Sequence, residues 1–294
     1  MTPGTASVGF IGLGVMGGSM ASHILEAGYR LLVNTRSPEK ASALIAKGAI
    51  WKNDAASLAA EADIIVTMVG YPREVEALYF GHRGIIDNAK PGALLVDMST
   101  SSPELAVRIH AAAGERGLKA LDAPVSGGDS GARNATLTIM VGGDEAAFEA
   151  AKPILGTMGK TIILQGGPGS GQHTKMANQI AVAGSLFGTV EAIAYAERAG
   201  LDPARVLLSI SQGSAGSWQM SSNGKKILAR DFGPGFFVKH FLKDLGIALE
   251  AARSMKLDLP VLALAEGLYR RLTEKGLGDE GTQVLYKLYT GELG

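Results

Sequence analysis

The amino-acid sequence predicts an α/β fold: a doubly wound parallel sheet followed by an all-α domain, with the two joined by a long helix. Short apolar runs alternate with helical patterns up to about residue 167, as in parallel sheets that are covered on both faces. Only helical patterns follow. Between the two lies a proline-free, alanine-rich stretch, 172–198, long enough for a helix of about 40 Å. We therefore expect an α/β domain at 1–167 and a helical domain at 168–294.

The composition excludes several classes of function. The 294 residues include 28 basic and 28 acidic side chains, so the net charge is zero and we expect no nucleic-acid partner. The absence of cysteine excludes disulfides, thiolate metal sites and cysteine nucleophiles. Glycines interrupt the apolar run near the N-terminus, and the least polar stretch, 180–190, is too short to cross a bilayer. We expect a soluble, cytoplasmic protein with no membrane segment.

The first element is a predicted buried strand, Ser7–Ile11, which leads into a glycine motif and a helical pattern that ends at Gly28. The motif consists of Gly12, Leu13, Gly14, Val15, Met16 and Gly17. A strand, G-x-G-x-x-G and a helix are the context of a Rossmann-type dinucleotide site. Gly12 permits the tight turn, Gly14 lets the backbone approach a pyrophosphate, and Gly17 lets the helix pack on the strand. A glycine-rich turn without ligand, or a methyltransferase-type nucleotide site, is the alternative.

The second predicted strand, residues 30–33, is followed by Thr35, Arg36 and Ser37. A site that prefers NAD usually has an acidic residue here to bind the ribose 2′-hydroxyl, but no acid occurs before Glu39. Arg36 offers a guanidinium fork for a 2′-phosphate, and the two hydroxyls add donors. The sequence therefore favours NADP, with NAD possible; an ordinary surface arginine is the alternative.

The α/β alternation continues as far as residue 164. Further strands are predicted at 63–69, 94–98, 119–123, 137–141 and 161–164, and helices at 38–47, 72–78, 103–116 and 145–155. Ligands bind at the carboxyl ends of such strands. We therefore expect the cofactor to lie beside Met68, Val69, Ser99 and Thr100. The two hydroxyls could equally be helix caps.

Two glycine-containing segments remain in this half. Ser126, Gly127 and Gly128 can expose backbone N–H groups that bind a carboxylate, although a simple loop is equally compatible with them. Gly159-Lys160-Thr161 resembles the end of a P-loop. Ile154 stands where the first glycine is required, and the order is helix then strand, so we reject a phosphate-loop site.

The long helix carries Lys175 and Asn178 three residues apart, and therefore on one face. A lysine and an amide that face one cleft could handle a proton and an oxygen substituent together; a surface lysine beside a polar neighbour is the alternative. Helices of the second domain are predicted at 203–211, 219–229, 240–255, 260–274 and 282–289.

Four motifs in register carry a resemblance that covers nearly the whole chain. They are the motif at 12–17, Asp122-Ala123-Pro124-Val125-Ser126-Gly127-Gly128, Gly169-x-Gly171-x-x-x-Lys175-x-x-Asn178, and Lys243-Asp244-Leu245. The sequence resembles the β-hydroxyacid dehydrogenase family, which includes 3-hydroxyisobutyrate dehydrogenases and tartronate semialdehyde reductases. The resemblance implies an NAD(P)-dependent oxidoreductase that interconverts a small hydroxy acid and its semialdehyde or keto acid, in a homodimer or homotetramer.

The resemblance also implies roles for single residues. Lys175 is the expected general acid/base, a role that requires its pKa to be lowered toward neutrality. The segment from Ser126 to Gly128 is expected to hold the substrate carboxylate, and Asn178 the substrate hydroxyl or carboxylate. Thr100 and Lys243 are expected near the nicotinamide, while an ion pair with a helical neighbour is the alternative for Lys243.

One departure and two alternatives accompany this assignment. Gln179 stands where the family often has a second asparagine, which puts substrate choice in doubt. Imine reductases share the expected architecture but usually lack the lysine at position 175. A non-catalytic dinucleotide-binding scaffold would also be expected to have lost it. Lys175 therefore favours a dehydrogenase or reductase.

Overall fold

The computed structural model describes residues 3–293. Contacts divide the chain into two compact units, and the division falls between Lys175 and Met176. The sequence places its domain boundary a few residues earlier, between 167 and 168, and that boundary remains a prediction. The first two residues and the last residue of the predicted domains lie outside the described part of the chain.

The first unit contains a mixed sheet flanked by helices. Its strands are β1 Ser7–Ile11, β2 Arg30–Asn34, β3 Ile50–Trp51, β4 Ile64–Thr67, β5 Leu94–Asp97, β6 Lys119–Asp122, β7 Val125–Ser126, β8 Leu137–Gly143 and β9 Gly159–Gly166. Its helices are α1 Val15–Glu26, α2 Ser42–Ala46, α3 Ala55–Ala59, α4 Pro72–Phe80, α5 Ile85–Asn88, α6 Pro103–Glu115, α7 Gly128–Arg133 and α8 Glu145–Leu155. The helix α9 Ser170–Arg198 begins here.

The strand order is β3-β2-β1-β4-β5-β6-β8-β7, with β9 paired to β8. From β3 to β6 every pairing is parallel. The order reverses at β1, which pairs with β2 on one side and β4 on the other. Such a reversal opens a crevice at the carboxyl ends of the strands, where open α/β sheets bind ligands.

The sheet departs from the predicted all-parallel arrangement beyond β6. Strand β8 runs antiparallel to both β6 and β7, whereas β9 is parallel to β8. The chain turns at Gly127 and Gly128, both with positive φ, and only the short helix α7 separates the turn from β8. That link is a turn rather than a long crossover helix, so the chain returns in the opposite direction.

Alternate side chains of the strands pack into apolar layers on the two faces of the sheet. Along β4, Ile64 and Val66 join the layer that contains Met20 of α1. The intervening Ile65 joins the layer that contains Tyr79 of α4. Both layers are closed by helices, which explains why three successive residues of β4, Ile64, Ile65 and Val66, are all apolar.

The regular elements of the second unit, within its described residues, are helices joined by loops. Besides the larger part of α9, it contains α10 Pro203–Ile210, α11 Trp218–Leu228, α12 Val238–Ser254, α13 Pro260–Glu274 and α14 Tyr286–Tyr289. Its core includes Tyr269, whose ring lies edge-on to Phe241 with centroids 4.9 Å apart. The Tyr269 hydroxyl donates to the Thr282 carbonyl at 2.7 Å, which satisfies the polar end of a fully buried side chain.

Helix α9 is long and apolar enough, by length and composition, to cross a membrane. The same properties are typical of a core helix in a soluble protein, and 44% of its most apolar window is buried inside the protein. Leu186, Val190 and Ile193 are fully buried there. Its apolar character is therefore accounted for, in large part, by packing within the fold.

Candidate active site

The turn between β1 and α1 has the shape that its glycines predict. Gly12 has φ +99°, and a methyl group there would overlap the Met68 carbonyl oxygen. A methyl group at Gly17 would overlap the Gly12 carbonyl oxygen, so only glycine lets α1 approach β1 this closely. A methyl group at Gly14 would meet nothing within 4 Å. The backbone at Gly14 thus faces open space.

Helix α1 begins directly after Gly14 and has no capping side chain. Its first N–H groups, which include those of Val15 and Met16, have no partner within the helix. Free N–H groups and the positive end of the helix dipole bind phosphate. Together with the open backbone at Gly14, they fit the pyrophosphate of a dinucleotide.

The end of β2 lies beside this turn. The Gly12 N–H donates to the Asn34 carbonyl at 2.9 Å, and Thr35 Oγ1 lies 3.4 Å from the Leu13 nitrogen. Ser37 follows and precedes a short 3₁₀ turn, Pro38–Ala41. The predicted cofactor residues after β1 and β2 are therefore neighbours.

Arg36 extends from this strand end and is 88% exposed. Its guanidinium pairs with Glu74 of α4 at 2.7 Å. The second Glu74 oxygen accepts the Gly70 N–H at 2.9 Å. An acidic side chain therefore reaches Arg36 from α4, and the sequence did not indicate this contact.

The loops after β4 and β5 are tied to each other. The Met68 N–H donates to the Ile11 carbonyl at 2.9 Å, and the Val69 N–H donates to Ser99 Oγ at 2.9 Å. Thr100 directly follows Ser99. The structure thus brings Met68, Val69 and Thr100 to one edge of the sheet, and their position beside the cofactor stays a prediction.

Gln172, in the first turn of α9, clamps the loop that contains Thr100. Its side-chain amide donates to the Ser99 carbonyl at 2.8 Å, and its side-chain oxygen accepts the Ser101 N–H at 3.0 Å. Gln172 is fully buried. A single side chain thereby fixes both flanks of Thr100 to the helix that carries Lys175 three residues later.

The start of α9 is bound to the end of β6. The Asp122 carboxylate accepts N–H groups from Gly169 and Gln172, both at 2.8 Å. A methyl group at Gly171 would lie 2.5 Å from the carbonyl oxygens of Asp122 and Met140. Gly171 is therefore required for the close approach of the helix to the sheet.

A second buried carboxylate, Asp97, lies opposite Asp122 in the register of β5 and β6. It accepts Thr67 Oγ1 at 2.8 Å and the Ser99 N–H at 3.1 Å. Burial raises the pKa of Asp97 to about 6. Burial also raises the pKa of Asp122, against the opposing effect of its backbone hydrogen bonds. The edge of the sheet beneath the site therefore holds two carboxyls that resist ionisation.

Lys175 is 7% exposed. Its ammonium donates to the Val125 carbonyl at 2.8 Å, one residue before Ser126. Gly127 and Gly128 follow with φ of +130° and +63°. The structure thus places the predicted acid/base beside the segment predicted to bind a carboxylate. His173, two residues before Lys175, is exposed.

The second unit contains the other predicted residues. Asn178, one helical turn beyond Lys175 on α9, donates its side-chain amide to Gln179 Oε1 at 2.7 Å. Lys243 of α12 pairs with Asp244 at 2.8 Å. That is the ion pair given above as the alternative for Lys243, and its cofactor role stays a prediction.

Residues of the candidate site that the sequence did not reveal are those whose contacts depend on long-range pairing. Gln172 and Glu74 carry no signal of their own, because their partners are distant in the chain. Asp97 could have been found, since it ends an otherwise apolar strand and a buried carboxyl requires hydrogen-bond partners. Within residues 3–293 no group of three or more His, Asp or Glu side chains could hold a metal ion.

Two family models match successive parts of the chain. Residues 7–167 match the family model of the NAD binding domain of 6-phosphogluconate dehydrogenase. Residues 169–289 match the family model described as the NAD-binding domain of NADP-dependent 3-hydroxyisobutyrate dehydrogenase.

Among curated relatives, an uncharacterised oxidoreductase of Bacillus subtilis is 57% identical over 283 residues, covering 96% of this chain and 98% of its own. A 2-hydroxy-3-oxopropionate reductase of Escherichia coli is 42% identical and covers 92% of each chain.

Among solved structures, a Mycobacterium tuberculosis 3-hydroxyisobutyrate dehydrogenase with L-serine superposes with a TM-score of 0.90. It is 31% identical over 98% of this chain and 99% of its own. An imine reductase from Pseudomonas, at 21% identity and a TM-score of 0.61, shares the fold alone.

Proposed function

The chain belongs to the β-hydroxyacid dehydrogenase family and is an NAD(P)-dependent oxidoreductase, and we propose that it interconverts a small β-hydroxy acid, or a related hydroxy acid, and its semialdehyde or keto acid. NADP(H) is the proposed cofactor and Lys175 the proposed general acid/base. The observation that carries the proposal is the buried Lys175 ammonium, bound to the Val125 carbonyl beside Ser126, Gly127 and Gly128.

The β1–α1 turn is the proposed pyrophosphate site. The residues that would hold it are Gly12, Leu13, Gly14, Val15, Met16 and Gly17. When bound, the nicotinamide supplies or accepts a hydride at the substrate carbon. Met68, Val69, Thr100 and Lys243 are the proposed neighbours of the cofactor beyond the pyrophosphate.

NADP preference is proposed for the residues that follow β2. Arg36, with Thr35 and Ser37, would bind a 2′-phosphate, since a guanidinium and two hydroxyls together supply several donors to phosphate oxygens. The exposure of Arg36 leaves its planar fork accessible to a ligand.

Lys175 would donate a proton to the carbonyl oxygen during reduction, and would accept it from the hydroxyl during oxidation. Its ammonium donates to the Val125 carbonyl at 2.8 Å, a contact that would hold the side chain in place for proton transfer. Ser126 and the N–H groups of Gly127 and Gly128 would bind the substrate carboxylate. Asn178, on the same helix as Lys175, would bind a polar substituent of the substrate.

The proposal extends to the surroundings of the enzyme. A small carboxylate is the proposed partner, in the cytoplasm, with neither nucleic acid nor membrane involved. A homodimer or homotetramer is supported by the exposed small residues of α9, Ala177, Ala181, Gly184 and Gly188, because small side chains let a second chain pack closely.

The test is the rate of oxidation of NADPH, and separately of NADH, with small acids that carry an aldehyde or ketone. The panel contains glyoxylate, succinic semialdehyde, tartronate semialdehyde and methylmalonate semialdehyde. Turnover with NADPH well above NADH is expected. A preference for NADH would overturn the role of Arg36 alone. Cofactor binding without turnover in either direction would overturn the proposed reaction.

A further inference from the structure

Four side chains of the second unit form a continuous polar chain. Asn178 Nδ2 donates to Gln179 Oε1 at 2.7 Å, and Gln179 Nε2 donates to Asp244 Oδ2 at 2.6 Å. The other Asp244 oxygen lies 2.8 Å from the Lys243 ammonium. Gln179 and Asp244 are each 2% exposed, so these contacts are shielded from water. We call these four residues the amide relay.

The polarity of the amide relay is fixed from its Asp244 end. A carboxylate has two acceptor oxygens and no hydrogen to donate, so it can only accept hydrogen bonds. Gln179 must therefore turn its NH₂ toward Asp244, which leaves its oxygen toward Asn178. Because that oxygen can only accept, Asn178 must turn its own NH₂ toward Gln179. No other orientation of the two amides satisfies every contact.

This polarity decides what Asn178 offers to a ligand. One of its two N–H donors is used by Gln179, whereas its carbonyl oxygen has both lone pairs for other donors. A substrate carboxylate has no donor for that oxygen, and neither does a methyl group. A hydroxyl or an ammonium can donate to it. If a substrate group without a donor covers the Asn178 oxygen, that oxygen loses its hydrogen bond with water and gains none from the substrate.

We propose that Gln179, oriented by Asp244, makes Asn178 a hydrogen-bond acceptor for the substrate. The enzyme thereby selects β-hydroxy acids, and their semialdehydes, that have a hydroxyl or an ammonium on the carbon next to the carboxylate, rather than an alkyl group. The inference rests on the proposed function and specifies its substrate class. Gln179 acts through Asn178 and is a positioning residue. An asparagine at this position would have one methylene fewer with which to reach Asp244.

The first arm of the test compares two acids of equal size. Glycerate and 3-hydroxyisobutyrate differ at the second carbon by a hydroxyl against a methyl group. With NADP⁺ as oxidant, kcat/KM is expected to be at least about tenfold higher for glycerate, the scale of one lost hydrogen bond in a closed site. A ratio at or below one, with clear turnover of both acids, would overturn the inference and leave the proposed function standing. Turnover of neither acid, with turnover of another acid of the panel above, would overturn the inference alone, whereas no turnover of any of them would overturn both.

The second arm removes the orientation of Asn178. Gln179→Met keeps the length of the side chain and removes its polar atoms. The ratio of the two kcat/KM values is expected to fall by about tenfold, while the dissociation constant of NADPH stays within twofold. Asp244→Asn, which no longer forces one orientation of Gln179, is expected to lower the ratio as well. An unchanged ratio in either folded variant would overturn the role of the amide relay.

A matched control is available in the same unit. Gln283 is 1% exposed, and its amide donates to the Asp231 and Gly233 carbonyls at 3.1 and 3.0 Å. Gln283→Met therefore also removes buried amide hydrogen bonds. We expect it to lower the melting temperature without changing the ratio. A fall in the ratio equal to that of Gln179→Met would assign the effect to general loosening and overturn the proposal.

Discussion

The two ends of the proposed cofactor site are built differently. At the reaction end, Asp97, Asp122 and Gln172 are buried and bound to backbone groups, and Lys175 is 7% exposed. At the adenosine end, Arg36 is 88% exposed and held by one ion pair. Proton transfer requires a geometry fixed by a packed environment, whereas recognition of a phosphate tolerates a long, mobile cation. We therefore expect substitutions at the two ends to separate rate from cofactor choice.

The largest expected effect is that of replacing Asp122, at the reaction end. Asp122→Ala leaves the buried N–H groups of Gly169 and Gln172, at the start of α9, without this acceptor. Relief of the burial that raises the pKa of Asp122 offsets part of the loss. The free energy of unfolding is expected to fall by about 3 kcal/mol, and kcat by at least about tenfold, as measured by urea unfolding and steady-state kinetics.

The matched control for Asp122 is another helix cap. Asp202 accepts the Ala204 N–H at the exposed start of α10, so Asp202→Ala is expected to cost about 1 kcal/mol and to leave kcat unchanged. Equal losses of stability and rate in the two variants would contradict the special role of the α9 start.

The second prediction concerns the pH dependence of stability at the same end. The pKa of Asp97 is raised from 3.8 to about 6, so the folded state binds a proton that the unfolded state releases between these values. Unfolding free energy therefore falls as pH rises through this window, by about 3 kcal/mol from this group. In Asp97→Asn the contribution is absent, and the variant should gain stability relative to the parent between pH 4 and pH 7. Urea unfolding across that range measures it; parallel curves for the two proteins would refute it.

Much of the fold could be predicted from the sequence, because the hydrophobic pattern is local. The ends predicted for α8 and α13 agree with the structure, and β1 does as well. The pattern misses β3 and α7, which are too short to display a period. It also misses the direction of β8, since alternation of apolar residues does not encode which way a strand runs.

The site divides in the same way. Residues in glycine motifs, such as Gly12 and Gly171, could be located because glycine at fixed spacing reflects a local need of the backbone. The hydrogen bonds of Gln172 with Ser99 and Ser101, and that of Gln179 with Asp244, join residues distant in sequence. The sequence alone contains no pattern that pairs Gln179 with Asp244, because the two residues meet only when their helices pack.

The smallest expected effect concerns cofactor choice at the adenosine end. Glu74→Gln keeps the shape of the Arg36 partner and removes a negative charge near the proposed 2′-phosphate. The KM for NADPH is expected to fall two- to threefold, on the order expected for one exposed charge, and the KM for NADH to stay constant. Glu76→Gln is the control, since Glu76 pairs with Arg108 instead. An equal change in KM for NADH would show that the 2′-phosphate is not involved.

The most direct test of the separation between the two ends is a crossed measurement of kcat and NADPH affinity for Lys175→Ala and Arg36→Ala. We expect Lys175→Ala to lower kcat by about 10²–10⁴-fold, the usual contribution of a general acid/base, with NADPH bound as tightly as by the parent enzyme. Arg36→Ala is expected to weaken NADPH binding by at least about tenfold and to keep kcat at saturating NADPH. If Lys175→Ala retains its turnover, or if Arg36→Ala loses turnover at saturation, the two ends are not separate and the account is wrong.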